Sequence, residues 1–149
     1  VLHFGAPRAL LLRNHSPHGS LRHHLTTRSL ARATDWCGVR SGRDCDKFRE
    51  MGLTAVASER IPAPVVAESP VNIECRVRQV LPLGSHDLFL AEVVGVQVDE
   101  AYLDPETGRF CLEKAEPIVY SHGEYFALGE ALGHFGWSVR KKKGSTKRR

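Results

Sequence analysis

Small and basic side chains gather in one short stretch that is suited to binding an anion. Ser41 and Gly42 come just before the predicted start of a helix at Arg43, so several backbone N–H groups there would lack partners within the helix. A helix start of this kind attracts phosphate. Arg40, Arg43 and Lys47 add positive charge around it. The stretch therefore predicts a phosphate site, with a plain cap at Ser41 and a surface charge at Lys47 as the alternative.

The other candidates for chemistry are isolated side chains. His86 lies in a predicted turn, where a lone histidine is most often an ordinary polar residue. Tyr120 and Tyr125 suit either a wall against a flat ring or ordinary packing. His122 and His134 lack a metal-ligand spacing, and the chain has no Cys-x-x-Cys pair, so no metal site is expected.

Two short helices are predicted around the basic stretch. Thr26 or Thr27 can cap a helix that runs through Trp36 and ends at Gly38. A second helix is predicted over residues 43–51 and stops at the following glycine. A tight glycine-rich link between them would carry the predicted phosphate contacts.

Further along the chain, the pattern changes to that of a sheet. Apolar and polar residues alternate over residues 71–78, which predicts a half-buried strand. Residues 88–98 are apolar at nearly every position, which predicts a strand buried on both faces. Turn residues at 81–85 join the two strands, so they should pair as an antiparallel hairpin. Residues 104–108 predict another turn, and residues 120–139 predict loops and short helices.

Length and composition limit the class of protein. The chain has 149 residues, 42% of them hydrophobic and 26% charged, which suits a single domain. No apolar run reaches the roughly 18 residues of a membrane helix, so no membrane association is expected. Four cysteines are too few for a disulfide scaffold, and we expect reduced thiols in a cytoplasmic protein.

The positive net charge comes from the C-terminus. Residues 140–149 hold seven lysines and arginines, more than the whole net charge of +4, so the remainder is acidic on balance. We expect a basic disordered tail there. A small nucleic-acid-binding barrel that uses this tail is the less favoured alternative, so nucleic acid is not expected as a partner.

Several motifs, in the same order along the chain, resemble the flavin reductase-like family. Residues 33–44, followed by Asp46-Lys47-Phe48, resemble its middle motif. Residues 66–75 look like its next strand, and residues 84–93 look like its Gly-Asp-His turn with the strand that follows. Residues 120–136 are similar to its closing aromatic loop. Agreement of several motifs is more specific than any single one.

This resemblance covers about residues 25–143 and implies a mainly β fold with short helices. The fold would be a Greek-key-like FMN-binding split β-barrel, usually a homodimer, that passes a hydride from NADH or NADPH to flavin. It implies flavin phosphate contacts at residues 40–43 and Lys47, ring contacts at Tyr120 and Tyr125, and a catalytic His86 near the nicotinamide. Because the cofactors carry out the chemistry, no acid–base pair is needed. The alternative is a non-catalytic flavin-binding or incomplete barrel protein.

The motif around His86 departs from the family's pattern. Ser85 stands where the family commonly has Asp, and Asp87 follows the histidine instead. The hydrogen-bond partner of His86 is therefore left open by the resemblance.

The N-terminal segment is unlike the family. Residues 1–34 contain no acidic residue but five arginines and five histidines, and the chain begins with Val1. Transit peptides are rich in arginine and poor in acids, but they are not rich in histidine. Pro7 and Pro17 would also break the amphipathic helix that such a peptide needs.

A shift of reading frame accounts better for this segment. The family has barrel strands here that end in a sequence like Phe-Val-Ile-Asn, whereas residues 20–24 read Ser-Leu-Arg-His-His and show no strand pattern. Read one base later, the possible codons of residues 21–24 admit Phe-Val-Ile. Those of residues 6–14 admit a stretch similar to the family's Arg-Pro-Glu-Arg-x-Ser-Tyr.

We therefore expect residues 1–24 to be an aberrant or disordered leader without regular sheet pairing, and residues 25–139 to be the domain proper. Missing or altered N-terminal strands would leave the edges of the barrel open. A genuine but divergent leader is the alternative.

Overall fold

The computed structural model describes residues 19–140, and every structural statement below concerns that part of the chain. Its elements are mainly short strands with three short α-helices. In chain order they are β1 (Ser20–His24), α1 (Ala31–Val39), α2 (Lys47–Met51), β2 (Ala55–Val56), β3 (Val65–Val66), β4 (Val71–Pro82), β5 (Asp87–Val98), α3 (Leu112–Ala115), β6 (Ile118–Ser121) and β7 (Glu124–Ala127), with 3-10 turns at Glu100–Tyr102 and Trp137–Val139. Residues 1–18, which belong to the predicted leader, lie outside the described residues. So do residues 141–149, which make up all but the first residue of the predicted basic tail.

The long hairpin of β4 and β5 is the main element of the fold. The two strands pair antiparallel from Val71 opposite Val98 to Pro82 opposite Asp87, which confirms the predicted hairpin. At its turn the Leu83 N–H donates to the His86 carbonyl oxygen at 2.8 Å. Gly84 in this turn has a φ of 86°, a conformation that favours glycine.

The expectation that residues 20–24 lack sheet pairing is wrong. β1 pairs antiparallel with β4, with Ser20 opposite Arg76 and His24 opposite Asn72, so the sheet has the order β1-β4-β5. Backbone hydrogen bonds make this ladder, and they do not require apolar side chains. The predicted start of the domain at residue 25 therefore falls after its first strand.

The prediction that residues 88–98 are buried on both faces is also wrong. Leu90, Val93 and Val96 are all about half exposed. β5 is an outer strand of the three-stranded sheet and pairs only with β4 among the described strands. The apolar run therefore predicted the strand correctly but did not predict how much of it is buried.

The core centres on β4 and contains polar as well as apolar groups. Glu74 is fully buried, and its carboxylate accepts hydrogen bonds from the backbone N–H groups of Glu59, Arg60 and Ile61 at 2.8–3.3 Å and from Gln97 Nε2 at 3.1 Å. Among the described residues, no buried side-chain nitrogen or oxygen lacks a partner. The apolar core around these groups consists of Leu30, Ile61, Val65, Val66, Cys75, Val77, Cys111 and Ala115.

The C-terminal part begins with a separate hairpin, where loops were predicted, and continues as the predicted loop with a short 3-10 helix at Trp137–Val139. β6 pairs antiparallel with β7, from Ile118 opposite Ala127 to Ser121 opposite Glu124. Its tight turn places both His122 and Gly123 at positive φ, as two-residue hairpin turns require. The following residues, 128–140, are all exposed.

The described strands form one three-stranded and two two-stranded sheets and do not close into a barrel. Within residues 19–140, no helix has both the length and the apolar character needed to cross a membrane.

Candidate functional site

Lys47 joins the end of α1 to the start of α2. Its Nζ donates a hydrogen bond to the backbone carbonyl oxygen of Cys37 at 2.5 Å. Carbonyl groups in the last turn of a helix lack partners within it, and a cation there interacts favourably with the helix dipole. Lys47 is therefore fixed beside the turn of residues 40–44, where the sequence predicts phosphate contacts.

That turn is held together by Ser41. Its hydroxyl accepts a hydrogen bond from the Arg43 N–H at 3.2 Å, and its carbonyl oxygen accepts one from the Asp44 N–H at 3.1 Å. The Cys45 thiol also donates to the Ser41 carbonyl oxygen, at 3.4 Å. Ser41 thus shapes the loop that presents the side chains of its neighbours.

The predicted helix start at Arg43 is wrong. α2 begins at Lys47, and the Asp46 carboxylate caps it by accepting from the N–H groups of Phe48 and Arg49 at 3.0 and 3.2 Å. At the predicted helix start, the N–H groups of Arg43 and Asp44 are already bonded to Ser41, so they are not available to an anion. What remains suited to a phosphate is the charge of Arg40, Arg43 and Lys47.

Tyr120 and Tyr125 form an aromatic pair on the β6–β7 hairpin. They lie opposite each other across the two strands, with ring centroids 5.1 Å apart and ring planes tilted by 55°. Tyr120 is 64% exposed and Tyr125 is 37% exposed, so the pair offers ring surface to a ligand.

Asp35 of α1 lies near this aromatic pair. Burial, together with the negative charge of Asp35, raises the pKa of the Tyr125 phenol. Lys47 contacts the last turn of the same helix through the Cys37 carbonyl oxygen, so the basic turn and the tyrosine pair both lie beside α1.

His86 lies on a different element, at the tip of the β4–β5 hairpin. Its Nδ1 is 2.8 Å from the hydroxyl oxygen of Ser85, which identifies the partner that the sequence left open. The turn that carries His86 is therefore not part of the group formed by the basic turn, α1 and the tyrosine pair.

An apolar cleft at the opposite end of the same hairpin has no counterpart among the predicted sites. It has a volume of about 460 Å³ and includes residues of β1, which the sequence assigned to the leader. Burial lowers the pKa of both His23 and His24, although the hydrogen bond of His24 to Asn72 acts in the other direction. Only the apolar alternation of β4 could have indicated this cleft. It is lined by His23, His24, Leu25, Val71, Ile73, Val98, Phe110 and Leu112.

The arrangement suits a ligand with both an anionic group and a flat ring. Exposed cations follow the end of α1 and an exposed aromatic pair lies near Asp35 of the same helix, which fits the phosphate and the ring of a flavin nucleotide. In residues 19–140, His, Cys, Asp and Glu side chains form no cluster that could hold a metal ion.

Comparison with known proteins defines the family. Residues 10–129 match the family described as flavin reductase like domain, and because this is most of the chain, the chain belongs to that family. The match begins at residue 10, inside the segment predicted as a leader. Membership of this family supports a flavin-related function.

Solved structures confirm the split-barrel fold. Flavoredoxin of Desulfovibrio vulgaris (Miyazaki F) is similar with a TM-score of 0.80 and 29% identity, covering 91% of this chain and 74% of that one. A flavin reductase with a split barrel domain from Shewanella frigidimarina has a TM-score of 0.65 and 20% identity, covering 78% of this chain and 59% of that one.

Among curated relatives, an uncharacterized protein of Archaeoglobus fulgidus is 34% identical over 67 residues, which is 45% of this chain and 38% of that protein. The alignments span less than half the length of the curated relatives that the chain matches.

Proposed function

We propose that this chain binds FMN and acts in an NAD(P)H-dependent flavin reductase. The observation that supports this best is that Lys47 bonds to the last turn of α1, while Tyr125 lies near Asp35 of the same helix. Similarity to a flavoredoxin at 29% identity supports a flavin as the ligand. The basic turn supports FMN in particular, because FMN ends in a phosphate.

In this proposal Arg40, Arg43 and Lys47 bind the flavin phosphate, while Ser41 and Gly42 shape the turn between them. Charge-assisted hydrogen bonds to phosphate are stronger than neutral ones, so these side chains would supply much of the affinity. Lys47 is already oriented by the Cys37 carbonyl group, so little further ordering is needed.

Tyr120 and Tyr125 provide the ring contact in this proposal. The two rings contact each other, and the exposed face of Tyr120 remains available to the flavin ring. The bound flavin would accept a hydride from NADH or NADPH, which is chemistry that the cofactors supply themselves. His86 is proposed to act near the nicotinamide, with its ring oriented by the Ser85 hydroxyl group.

The protein is proposed to work as a homodimer in the cytoplasm. Large apolar side chains of the β6–β7 hairpin and residues 128–139 are exposed, and exposed apolar patches commonly mark protein interfaces. A second copy of the chain is the partner that the family resemblance implies. All four cysteines are free thiols, which suits a reducing compartment. The exposed apolar side chains are Val119, Tyr120, Phe126, Leu128, Leu132, Phe135, Trp137 and Val139.

Flavin titration and nicotinamide oxidation test this function together. We expect the purified chain to quench FMN fluorescence on binding and to oxidise NADH or NADPH only when FMN is present. A double variant, Arg40→Ala with Arg43→Ala, should weaken FMN binding, whereas Arg109→Ala, a change at an exposed arginine outside the site, should not. Absence of FMN binding by the unaltered chain would contradict the proposal. FMN binding without oxidation would favour the non-catalytic alternative.

A further inference from the structure

The apolar cleft that β1, β4, β5 and the start of α3 form is separate from the proposed flavin contacts. Its volume of about 460 Å³ falls within the roughly 300–1,000 Å³ of small-molecule sites in proteins. The described residues that line it include none of those proposed to contact FMN or the nicotinamide. A ligand of this cleft would therefore be additional to the flavin.

Three paired strands form the floor of the cleft. His23 lies opposite Ile73, and Val71 lies opposite Val98, so the two members of each pair share a face of the sheet. Positions 71 and 73 share a face as well, because they are two residues apart on one strand. The Leu25 N–H donates to the Val71 carbonyl oxygen at 2.9 Å, which keeps the chain beside β4 just beyond the end of β1. The floor is thus one hydrogen-bonded surface.

Phe110 and Leu112 line the cleft from outside this sheet, and backbone contacts fix the segment that carries them. The Cys111 N–H, between the two, donates to the Tyr102 carbonyl oxygen at 2.8 Å. Phe110 also forms an antiparallel bridge with Leu103. The Cys111 side chain is buried, whereas Leu112 is 45% exposed. Both sides of the cleft are therefore held by the backbone, so the cleft is formed without a ligand.

The lining of the cleft is apolar and carries no fixed charge. Six of its eight described residues are aliphatic or phenylalanine, and none is Asp, Glu, Lys or Arg. Burial lowers the pKa of the other two, His23 and His24, so both rings are neutral at pH 7. All eight keep some contact with water. A charged ligand would find no counter-charge among these side chains, whereas a neutral apolar one would release water from them.

We propose that this cleft binds a small, uncharged aromatic molecule at a site separate from the flavin. Aliphatic side chains of the sheet would contact one face of the ligand, and Phe110 would contact it from the other side of the cleft. Removal of apolar surface from water drives such binding. The site does not need a bound flavin, so its test is independent of the proposed function.

N-phenyl-1-naphthylamine, a neutral aromatic dye that fluoresces in apolar surroundings, probes the cleft in the intact chain. We expect saturable binding of one dye per chain, with a dissociation constant in the micromolar range. Nuclear Overhauser effects should connect the dye to methyl groups of Val71, Ile73 and Val98. Saturating FMN should not displace the dye. Displacement by FMN, or the lack of contacts to these methyl groups, would overturn the proposal.

Competition tests the preference for an uncharged ligand. We expect 1-methylnaphthalene to displace the dye. 1-Naphthoate has nearly the same size and a carboxylate, so it should compete at least about tenfold less well, because the cleft offers no counter-charge. Equal competition by the two compounds would show that the cleft does not select against charge, and the proposed ligand class would be wrong.

Substitutions at Leu112 test the site itself. Leu112 is the first residue of α3, where an acidic side chain is favourable, so Leu112→Asp should preserve the fold while it places a charge in the cleft. It should weaken dye binding by about tenfold or more. Leu112→Trp fills the cleft without a charge and should also weaken binding. Leu83→Asp, at an exposed leucine in the β4–β5 turn outside the cleft, is the matched control.

The outcomes separate a ligand site from an interface between chains. Unchanged dye binding in both Leu112 variants would show that the dye binds elsewhere and would overturn the proposal. If Leu112→Asp instead dissociates an oligomer in sedimentation velocity, a second copy of the chain covers the cleft, and the small-molecule site is wrong. Failure of FMN binding by the unaltered chain would contradict the proposed function alone.

Discussion

The sheet around Glu74 and the C-terminal region after residue 117 differ in how much of their side-chain surface the chain itself buries. The Glu74 carboxylate is fully buried, with four hydrogen-bond donors from the segment 59–61 and from Gln97. Leu132 is 89% exposed, and Phe135 is fully exposed. The first region satisfies its polar groups internally, whereas the second leaves its apolar groups in water.

This contrast indicates where stability and assembly reside. A buried carboxylate is tolerated only when it is fully hydrogen-bonded, so the segment 59–61 and the sheet depend on each other. Gly95 shows how closely they pack, since a Cβ there would lie 3.1 Å from Arg60 Cγ and 3.6 Å from Glu74 Oε1. None of residues 128–139 is buried by the described part of the chain, and we expect a second chain to cover them.

The largest effect is expected from a substitution that disrupts the buried hydrogen bonds of Glu74. Glu74→Gln replaces an acceptor oxygen with an NH₂ group that faces backbone donors, so the free energy of unfolding should fall by about 3 kcal/mol. Urea denaturation measures this fall. The control is Glu92→Gln, which removes an exposed ion pair with Arg78 and should cost less than about 1 kcal/mol. Equal losses for the two variants would show that Glu74 does not hold the segment 59–61 in place.

The sequence predicted the strands better than their surroundings. Alternation identified β4, yet it placed Glu74 on the polar side of a half-buried strand, because period-two patterns do not show which backbone segment covers that side. For β5 the sequence overestimated burial, since an apolar run does not show whether other elements cover the strand. Both failures concern tertiary contacts between residues that are far apart along the chain.

The site was predictable in its residues but not in its geometry. The basic turn was recognised, but the start of α2 was misplaced because the helix is capped by the Asp46 carboxylate and not by the Ser41 hydroxyl group. Asp35 was missed entirely, because only the folded hairpin brings Tyr125 to it. The β1 strand was missed because its side chains show no strand pattern.

The next prediction concerns the exposed C-terminal region. Phe135→Asp places a charge in the surface that we expect to contact a second chain, so the dimer should dissociate at least tenfold more readily. Sedimentation velocity measures the change, and the far-ultraviolet circular dichroism should stay constant because the Phe135 side chain is fully exposed in the described part of the chain. Glu130→Gln, an exposed polar change in the same segment, serves as the control. A monomeric unaltered chain would show that this surface does not bind another copy.

A smaller effect tests the basic turn. Lys47→Ala should weaken FMN binding about tenfold and riboflavin binding much less, because the lost contact is with the phosphate. Fluorescence titration of both flavins measures the difference. Since Lys47 also bonds the Cys37 carbonyl group, a general loosening of α1 would weaken both flavins equally, and that result would remove Lys47 from the phosphate site. Lys114→Ala, at an exposed position on α3, is the matched control.

The smallest expected effect concerns His23 of β1, which lies opposite Ile73 and lines the apolar cleft. Burial lowers the pKa of His23 in the folded chain below its ordinary value of 6.5. As the pH falls through 6.5, the unfolded chain therefore binds more protons than the folded chain, and the free energy of unfolding decreases. Above that pH both states are neutral at this residue, so its destabilising effect disappears.

His23→Ile removes this proton uptake and places at residue 23 the apolar residue that the shifted reading frame admits. We expect the variant to gain roughly half a kcal/mol more at pH 5 than at pH 7, a small value because His23 is only half-buried. Urea denaturation at the two pH values measures the gain, and His134→Gln, at an exposed histidine, should show no such difference. A gain at both pH values would further support apolar strand residues as the better fit to β1. A loss of stability at both would instead show that His23 belongs in this strand, as a genuine and divergent N-terminal sequence requires.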